Sequence, residues 1–240
     1  MPAEPRRPTA TPMTRRYEIS YLDGDGLIES VTRIAPAIPK FEEAFSALAR
    51  GTVIATTDGP AAIEDVVPGM KVITAEGRSE TITWIGSMTL FPPRAMAGMT
   101  SSTLTRITAD AFGVGRPMPD LVLGPWARLL MRDARCRLAS GMNSAYAPAR
   151  SFTDGLSIIE VTPVAPVTVY HLVLEHHGSI RAAGIEIESY HPGSRMGDGF
   201  DPRLTQVFLS LFPHLRSFGE FGSMKHPRMS AADVEAALEG

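Results

Sequence analysis

The stretch that decides the fold is Gly51-Thr52-Val53-Ile54-Ala55-Thr56-Thr57-Asp58-Gly59-Pro60-Ala61-Ala62-Ile63-Glu64-Asp65-Val66-Val67-Pro68-Gly69-Met70-Lys71-Val72. It reads strand, turn, short link, turn, strand. Gly59 and Gly69 stand where a chain reversal needs a relaxed backbone, and Pro68 presets the second turn. Asp58, Glu64 and Asp65 fit turn and strand-end roles, and their spacing supports no paired-carboxylate site.

Working outward, the same punctuation recurs. Tyr17 to Leu22 alternates apolar and polar residues as a half-buried strand does. Asp23-Gly24-Asp25-Gly26 turns, and Leu27 to Ile34 reads as the return strand of a hairpin. The Asp-Gly-Asp-Gly run lacks the further oxygen ligands and distal Glu of a calcium loop. Pro36 and Pro39 end the hairpin, and Lys40 to Arg50 is expected to be a short helix. Thr81 to Leu90 is a period-two strand, with a bulge expected at Gly86 and Trp84 expected in the core. Further strands are expected at Arg106–Ala109, Asp120–Leu123, Leu129–Met131, Ser157–Val161, Val167–Leu174 and Ile180–Ile187. Residues 91–120 otherwise read as irregular. Asp201 to Phe212 looks helical, with Leu204, Val207, Phe208 and Leu211 on one face. That apolar face is expected to pack against the rest of the chain. Ser230-Ala231-Ala232-Asp233 resembles a capping box before a last helix reaching Leu238.

Three segments carry a family resemblance. The first is the quoted stretch. The second is Leu121-Val122-Leu123-Gly124-Pro125-Trp126-Ala127-Arg128-Leu129-Leu130. The third is Val169-Tyr170-His171-Leu172-Val173-Leu174, followed by Ala182-Ala183-Gly184-Ile185. With Thr83-Trp84-Ile85-Gly86 between the first and second, they resemble the Hint domain shared by Hedgehog autoprocessing domains and inteins. The bacterial Hint-like branch ending in Glu-Ser-Tyr is matched by Glu188-Ser189-Tyr190. The resemblance runs over roughly residues 44 to 193. It implies a mainly β, pseudo-twofold fold. Around it the expected organisation is a disordered tail (1–16), a β-hairpin extension (17–43), the Hint-like domain (44–195) and a helical C-terminal extension (196–240).

The resemblance also implies a chemistry. Members of the family cleave themselves by an N-to-S acyl shift, assisted by a Thr or Ser and a His three residues apart. Inteins finish with a terminal His-Asn pair. This chain has Ala47 at the nucleophile position, Gly124 and Ala127 at the assisting positions, and Glu188-Ser189 where an intein has His-Asn. No reactive atom stands at Ala47, so the expected function is a Hint-like scaffold or binding module that has lost self-processing. The alternative is an autoproteolytic domain with Ser46 as a displaced nucleophile.

Other functional classes find little support. The balance of 23 basic and 26 acidic residues gives no basic surface for nucleic acid. No stretch reaches the roughly 20 apolar residues of a membrane span. A single cysteine, Cys136, excludes an intrachain disulfide. Arg132, Arg135 and Arg137 flank it and would lower its thiol pKa if close in space, but a buried structural role is the expected one. His171, His176, His177 and His191 cluster in one region, and His171 and His177 share strand parity. A turn before Gly178 and the absence of cysteine ligands argue against metal, so no metal or cofactor is expected. Walker, dinucleotide, Gly-x-Ser-x-Gly and His-Glu-x-x-His motifs are missing. A protein partner is compatible with this reading, and the expected location is cytoplasmic, without a signal peptide.

Overall fold

The computed structural model describes residues 13–92, 103–134, 136–193 and 201–239. The N-terminal tail before residue 13, part of the irregular 91–120 stretch, Arg135, residues 194–200 and Gly240 lie outside the described residues. The described residues open with a hairpin of β1 (Thr14–Leu22) and β2 (Ile28–Pro36). Asp23 closes the turn, its Oδ1 accepting from the N–H groups of Asp25 (2.9 Å) and Leu27 (2.8 Å). Its carboxylate serves the turn itself. Thr14, Arg15 and Arg16, read from sequence as tail, belong to β1. Arg15 explains this: it is only 9% exposed, and its guanidinium donates to Glu42 Oε1 and to the Thr89 carbonyl, both at 2.7 Å.

The helix expected over Lys40–Arg50 is shorter. It comprises α1 (Pro39–Glu42) and a single 3-10 turn, Glu43–Phe45. The chain then straightens into β3 (Leu48–Ala49), which lies between two other strands. Those sheet hydrogen bonds take the backbone groups that a longer helix would have used internally.

The quoted stretch forms β4 (Val53–Thr56), β5 (Gly59–Ala62), a 3-10 link (Ile63–Asp65) and β6 (Lys71–Ile73). Gly59 and Gly69 have φ of 112° and 93°, the region expected of them. The link is tied back by Glu64, whose Oε2 accepts from the Gly51 N–H at 2.8 Å. That bond holds its carboxyl below the ordinary carboxylate range.

The long β7 (Ser79–Leu90) joins the molecule's two lobes. Its first residues pair with β6, and residues 82–90 pair with β13 (Val167–Leu174). One lobe continues from β6 through β4 to β14 (Ser179–Ala182), β15 (Ile185–Glu188), β10 (Arg128–Arg132) and β11 (Ser144–Pro148). The other runs from β13 to β3, β9 (Leu121–Leu123), β8 (Leu104–Ile107) and β12 (Ile158–Val161), with β1 also on β7. The molecule is thus mainly antiparallel β. Strand β11 has no counterpart in the sequence reading; its Ser-Ala-Tyr-Ala-Pro carries little β propensity, and burial between β10 and α4 (Ala231–Glu239) overrides that.

Gly86 is not a bulge. The irregularity in this ladder lies between Val173 and Leu174 instead. A Cβ on Gly86 would stand 2.1 Å from the Trp84 ring and 2.6 Å from Phe45. The glycine therefore makes room for aromatic packing. Trp84 is fully buried, as expected, and donates its Nε1–H to the Leu211 carbonyl at 2.8 Å.

That carbonyl belongs to the C-terminal segment. Helix α3 (Pro202–Leu209) is capped by Asp201, whose Oδ1 accepts from the Leu204 N–H at 2.8 Å. Phe208, Leu211 and Phe212 are fully buried beside Trp84, Phe41 and Tyr190. The apolar face packs on the β core, as its residues require. A 3-10 turn (Phe218–Phe221) and α4 follow. The capping box is present: Ser230 Oγ accepts from the Asp233 N–H, and Asp233 Oδ2 accepts from the Ser230 N–H.

Candidate functional site

The Ser46–Ala47 peptide sits where the 3-10 turn gives way to β3. Its surroundings hold it on both sides. The Ser46 carbonyl accepts from the Trp126 N–H at 3.2 Å. The Ala47 N–H donates to the Tyr170 carbonyl at 3.0 Å, and the Ala47 carbonyl accepts from the Gly124 N–H at 2.9 Å. Ala47 is fully buried and packs in the same apolar cluster as Leu123, Ala127, Leu129 and Ile187.

Gly124 lies directly against this peptide. A Cβ there would meet the Ser46 carbonyl oxygen at 2.3 Å and its carbon at 2.7 Å. No side chain fits at 124 unless backbone moves. Ala127 follows in the turn, its N–H donating to the Gly124 carbonyl at 3.2 Å. The structure therefore brings Ala47, Gly124 and Ala127 together, although they are far apart in sequence. Ser46 Oγ turns the other way and donates to the Glu42 carbonyl at 2.8 Å, within its own turn.

Behind this peptide lies a buried charge network. Glu188, at the end of β15, is 1% exposed. Arg228 Nε donates to both of its carboxylate oxygens, at 2.9 and 3.1 Å. Arg128 Nη1 is 3.6 Å away, and Arg128 Nη2 reaches Glu43 Oε1 at 2.7 Å. Arg228 Nη1 also approaches Glu43, at 3.4 Å. Burial works against a charge on Glu188, but Arg228 foremost, with His177 and Arg128, overcomes it and holds its pKa down at about 2. The Tyr190 hydroxyl lies buried beside this network. Burial, with the Glu43 charge behind it, pushes that hydroxyl's pKa well above its ordinary value.

Ser189 serves as a link. Its Oγ donates to the Gly178 carbonyl at 2.8 Å, and its own N–H donates to the same carbonyl at 2.9 Å. Residues 175–178 are not a hairpin turn, because β13 and β14 belong to different lobes. They form the crossing between the lobes, and this buries His177.

The histidines divide accordingly. His171 is 2% exposed, with Nδ1 at 3.0 Å from the Glu43 carbonyl and Nε2 at 3.3 Å from the Glu188 carbonyl. Two facing carbonyls favour a second proton, yet burial outweighs them and its pKa falls to about 4. A neutral ring donates to only one of these two carbonyls at a time. His177 accepts from the Lys225 N–H at Nδ1 and donates from Nε2 to the Ser189 carbonyl, both at 3.0 Å. His191 accepts from the Gly193 N–H at Nδ1 and faces the Gly222 carbonyl with Nε2; burial lowers its pKa to about 4. All three rings bond to backbone groups, and His177 Nε2 also lies 3.5 Å from Glu188 Oε1.

Metal-ligand spacing occurs elsewhere, at Glu80, Glu175 and His176, whose ligand atoms all lie within 4.8 Å of one another. There His176 Nδ1 is 3.0 Å from Glu80, and Arg78 pairs with the same carboxylate at 3.3 Å. Cys136 begins the short helix α2 (Cys136–Ser140) and is fully buried against α4, which is the structural role expected. Arg128, Arg228 and Glu43 escaped the sequence reading. Arg128 stands inside a quoted motif but with no role assigned to it, Glu43 and Arg228 lie outside the motifs, and Arg228 meets Glu188 across 40 residues of chain.

The family model of the Hint domain matches residues 46–194. The chain belongs to the Hint domain family. Among solved structures, the solution structure of a bacterial intein-like domain from Clostridium thermocellum aligns with a TM-score of 0.42 at 14% identity, over 61% of this chain and 99% of that one. No curated protein matches the chain. Among the described residues no helix is long and apolar enough to cross a membrane.

Proposed function

We propose that this Hint domain has lost self-processing and acts as a scaffold or binding module. The observation that carries the reading is Ala47. An acyl shift needs a thiol or hydroxyl on the residue following the scissile carbonyl. Here that residue offers a buried methyl group, on a peptide held by hydrogen bonds from Trp126 and Gly124 and to Tyr170. The flanking positions support the same conclusion. Gly124 leaves no space for a hydroxyl-bearing side chain, and Ala127 supplies no general acid. At the far end Glu188 is neutralised by arginine and Ser189 is bonded to Gly178, so neither resembles a cyclising Asn. A cytoplasmic location is part of the proposal and rests on the single cysteine, which suits a reducing compartment.

The test is the intact mass of the purified chain. It is expected at the full 25.9 kDa, with or without dithiothreitol or hydroxylamine. A pair of fragments broken within residues 44–48 would overturn the proposal. If Ser46→Ala then abolished the break, the displaced-nucleophile reading would replace it.

A further inference from the structure

The hairpin that precedes the family domain leaves one strand edge open. β2 pairs with β1 along its whole length, and among the described residues nothing pairs with its other edge. The parity of that edge follows from the two ends of the hairpin. The Asp23 N–H donates to the Leu27 carbonyl, and the Ala37 N–H donates to the Met13 carbonyl. The register between these ends is unbroken. Odd-numbered residues of β2 therefore bond to β1. Ile28, Ser30, Thr32 and Ile34 point their N–H and C=O groups outward.

An open edge of this length invites another strand, and proteins usually blunt such edges with charge. The charges on β2 do the opposite for a second copy. The strand reads Ile28-Glu29-Ser30-Val31-Thr32-Arg33-Ile34. Turned antiparallel on itself about Val31, it places Glu29 opposite Arg33 and Ile28 opposite Ile34. Ser30 then faces Thr32, and Val31 faces its own copy. Like charges nowhere meet. Ile28 and Ile34 are 53% and 74% exposed, so the pairing also covers apolar surface now in water. The parity agrees: the Ser30–Thr32 and Ile28–Ile34 pairs are those whose backbone groups face outward. A twofold axis through Val31 satisfies sequence, charge and hydrogen bonding at once, as an isologous interface requires.

We propose that a second copy of this chain docks on the open edge of β2, antiparallel, about a twofold axis at Val31. The sheet then continues from one protomer into its partner. The paired strands are short, which sets the interface at the small end of specific interfaces and makes the dimer dependent on concentration.

Sedimentation velocity from low micromolar to near-millimolar protein tests this. The full chain is expected to move from monomer to dimer with rising concentration. Glu29→Arg puts like charges at both symmetry-related pairs and should weaken the dimer about tenfold or more. The exchanged double variant, Glu29→Arg with Arg33→Glu, restores opposite charges and should restore the dimer. Thr32→Pro removes an outward N–H that β1 does not use, so it should abolish the dimer while the monomer melts as before. A chain that stays monomeric throughout overturns the proposal. So does a dimer unaffected by both Glu29→Arg and Thr32→Pro, because it must use another surface. If Thr32→Pro fails to fold, the two charge variants decide alone.

Discussion

Replacing Glu188 by Gln tests whether the buried network behind the Ser46–Ala47 peptide holds the two lobes together. The variant keeps the shape and removes the charge. Two routes give its size. The folded pKa is about 2 against an ordinary 4.5, which corresponds to about 3 kcal/mol. Independently, deleting one partner of a buried ion pair costs about 3–5 kcal/mol, because the remaining charge is stranded. Here the stranded group is Arg228, which bonds both Glu188 oxygens. For a chain of this size, a loss of about 3 kcal/mol lowers the melting temperature by about 6–12 °C. Thermal melting at neutral pH measures it. The sign of the pH dependence supplies an internal control. A depressed carboxylate pKa contributes stability that is complete above pH 4.5 and is lost as pH falls through about 2. The gap between the parent and Glu188→Gln should therefore close across that window. A variant that melts within about 2 °C of the parent at neutral pH would refute the reasoning. So would a gap that stays constant as the acid window is crossed.

Other outcomes follow from the same geometry. Gly124→Ser and Gly124→Ala should both destabilise by about 1–3 kcal/mol, because any Cβ meets the Ser46 carbonyl at 2.3 Å. Urea unfolding measures this, and a serine variant as stable as the parent counts against the close approach. Removing residues 201–240 deletes Phe208, Leu211 and Phe212, each worth about 1.5–3 kcal/mol of burial, and strands Glu188 without Arg228. The truncated chain should show no cooperative melt by circular dichroism; one that melts like the parent removes this segment from the core. Burial lowers the His171 pKa to about 4 from 6.5. The unfolded chain then binds the extra proton first, so stability is complete above pH 6.5 and falls as pH drops towards 4. His191 and His214 shift in the same direction, also through burial. Melting temperatures equal at pH 7 and pH 5 would contradict this.

Local chemistry made much of this molecule legible in its sequence. Period-two alternation placed the strands on either side of the Asp23–Gly26 turn, and the Pro68-Gly69 pair fixed the reversal before β6. The capping box at Ser230 and the apolar face of α3 were equally local signals. The family followed from short motifs in order, each a strand or turn whose residue types are set by neighbours a few positions away. Tertiary structure decided what depends on distant chain. Gly86 is a glycine because Trp84 and Phe45 fill its side-chain space, which no local pattern reveals. The helix after Pro39 stops at Phe45 because β9 and β13 claim the backbone that follows. Arg128 and Arg228 bridge Glu188 and Glu43 only once these separate segments have folded, and only burial makes their charges matter. That residue 47 is an alanine is written in the sequence, whereas the crowding of Gly124 against the Ser46–Ala47 peptide arises from the packing of two strands.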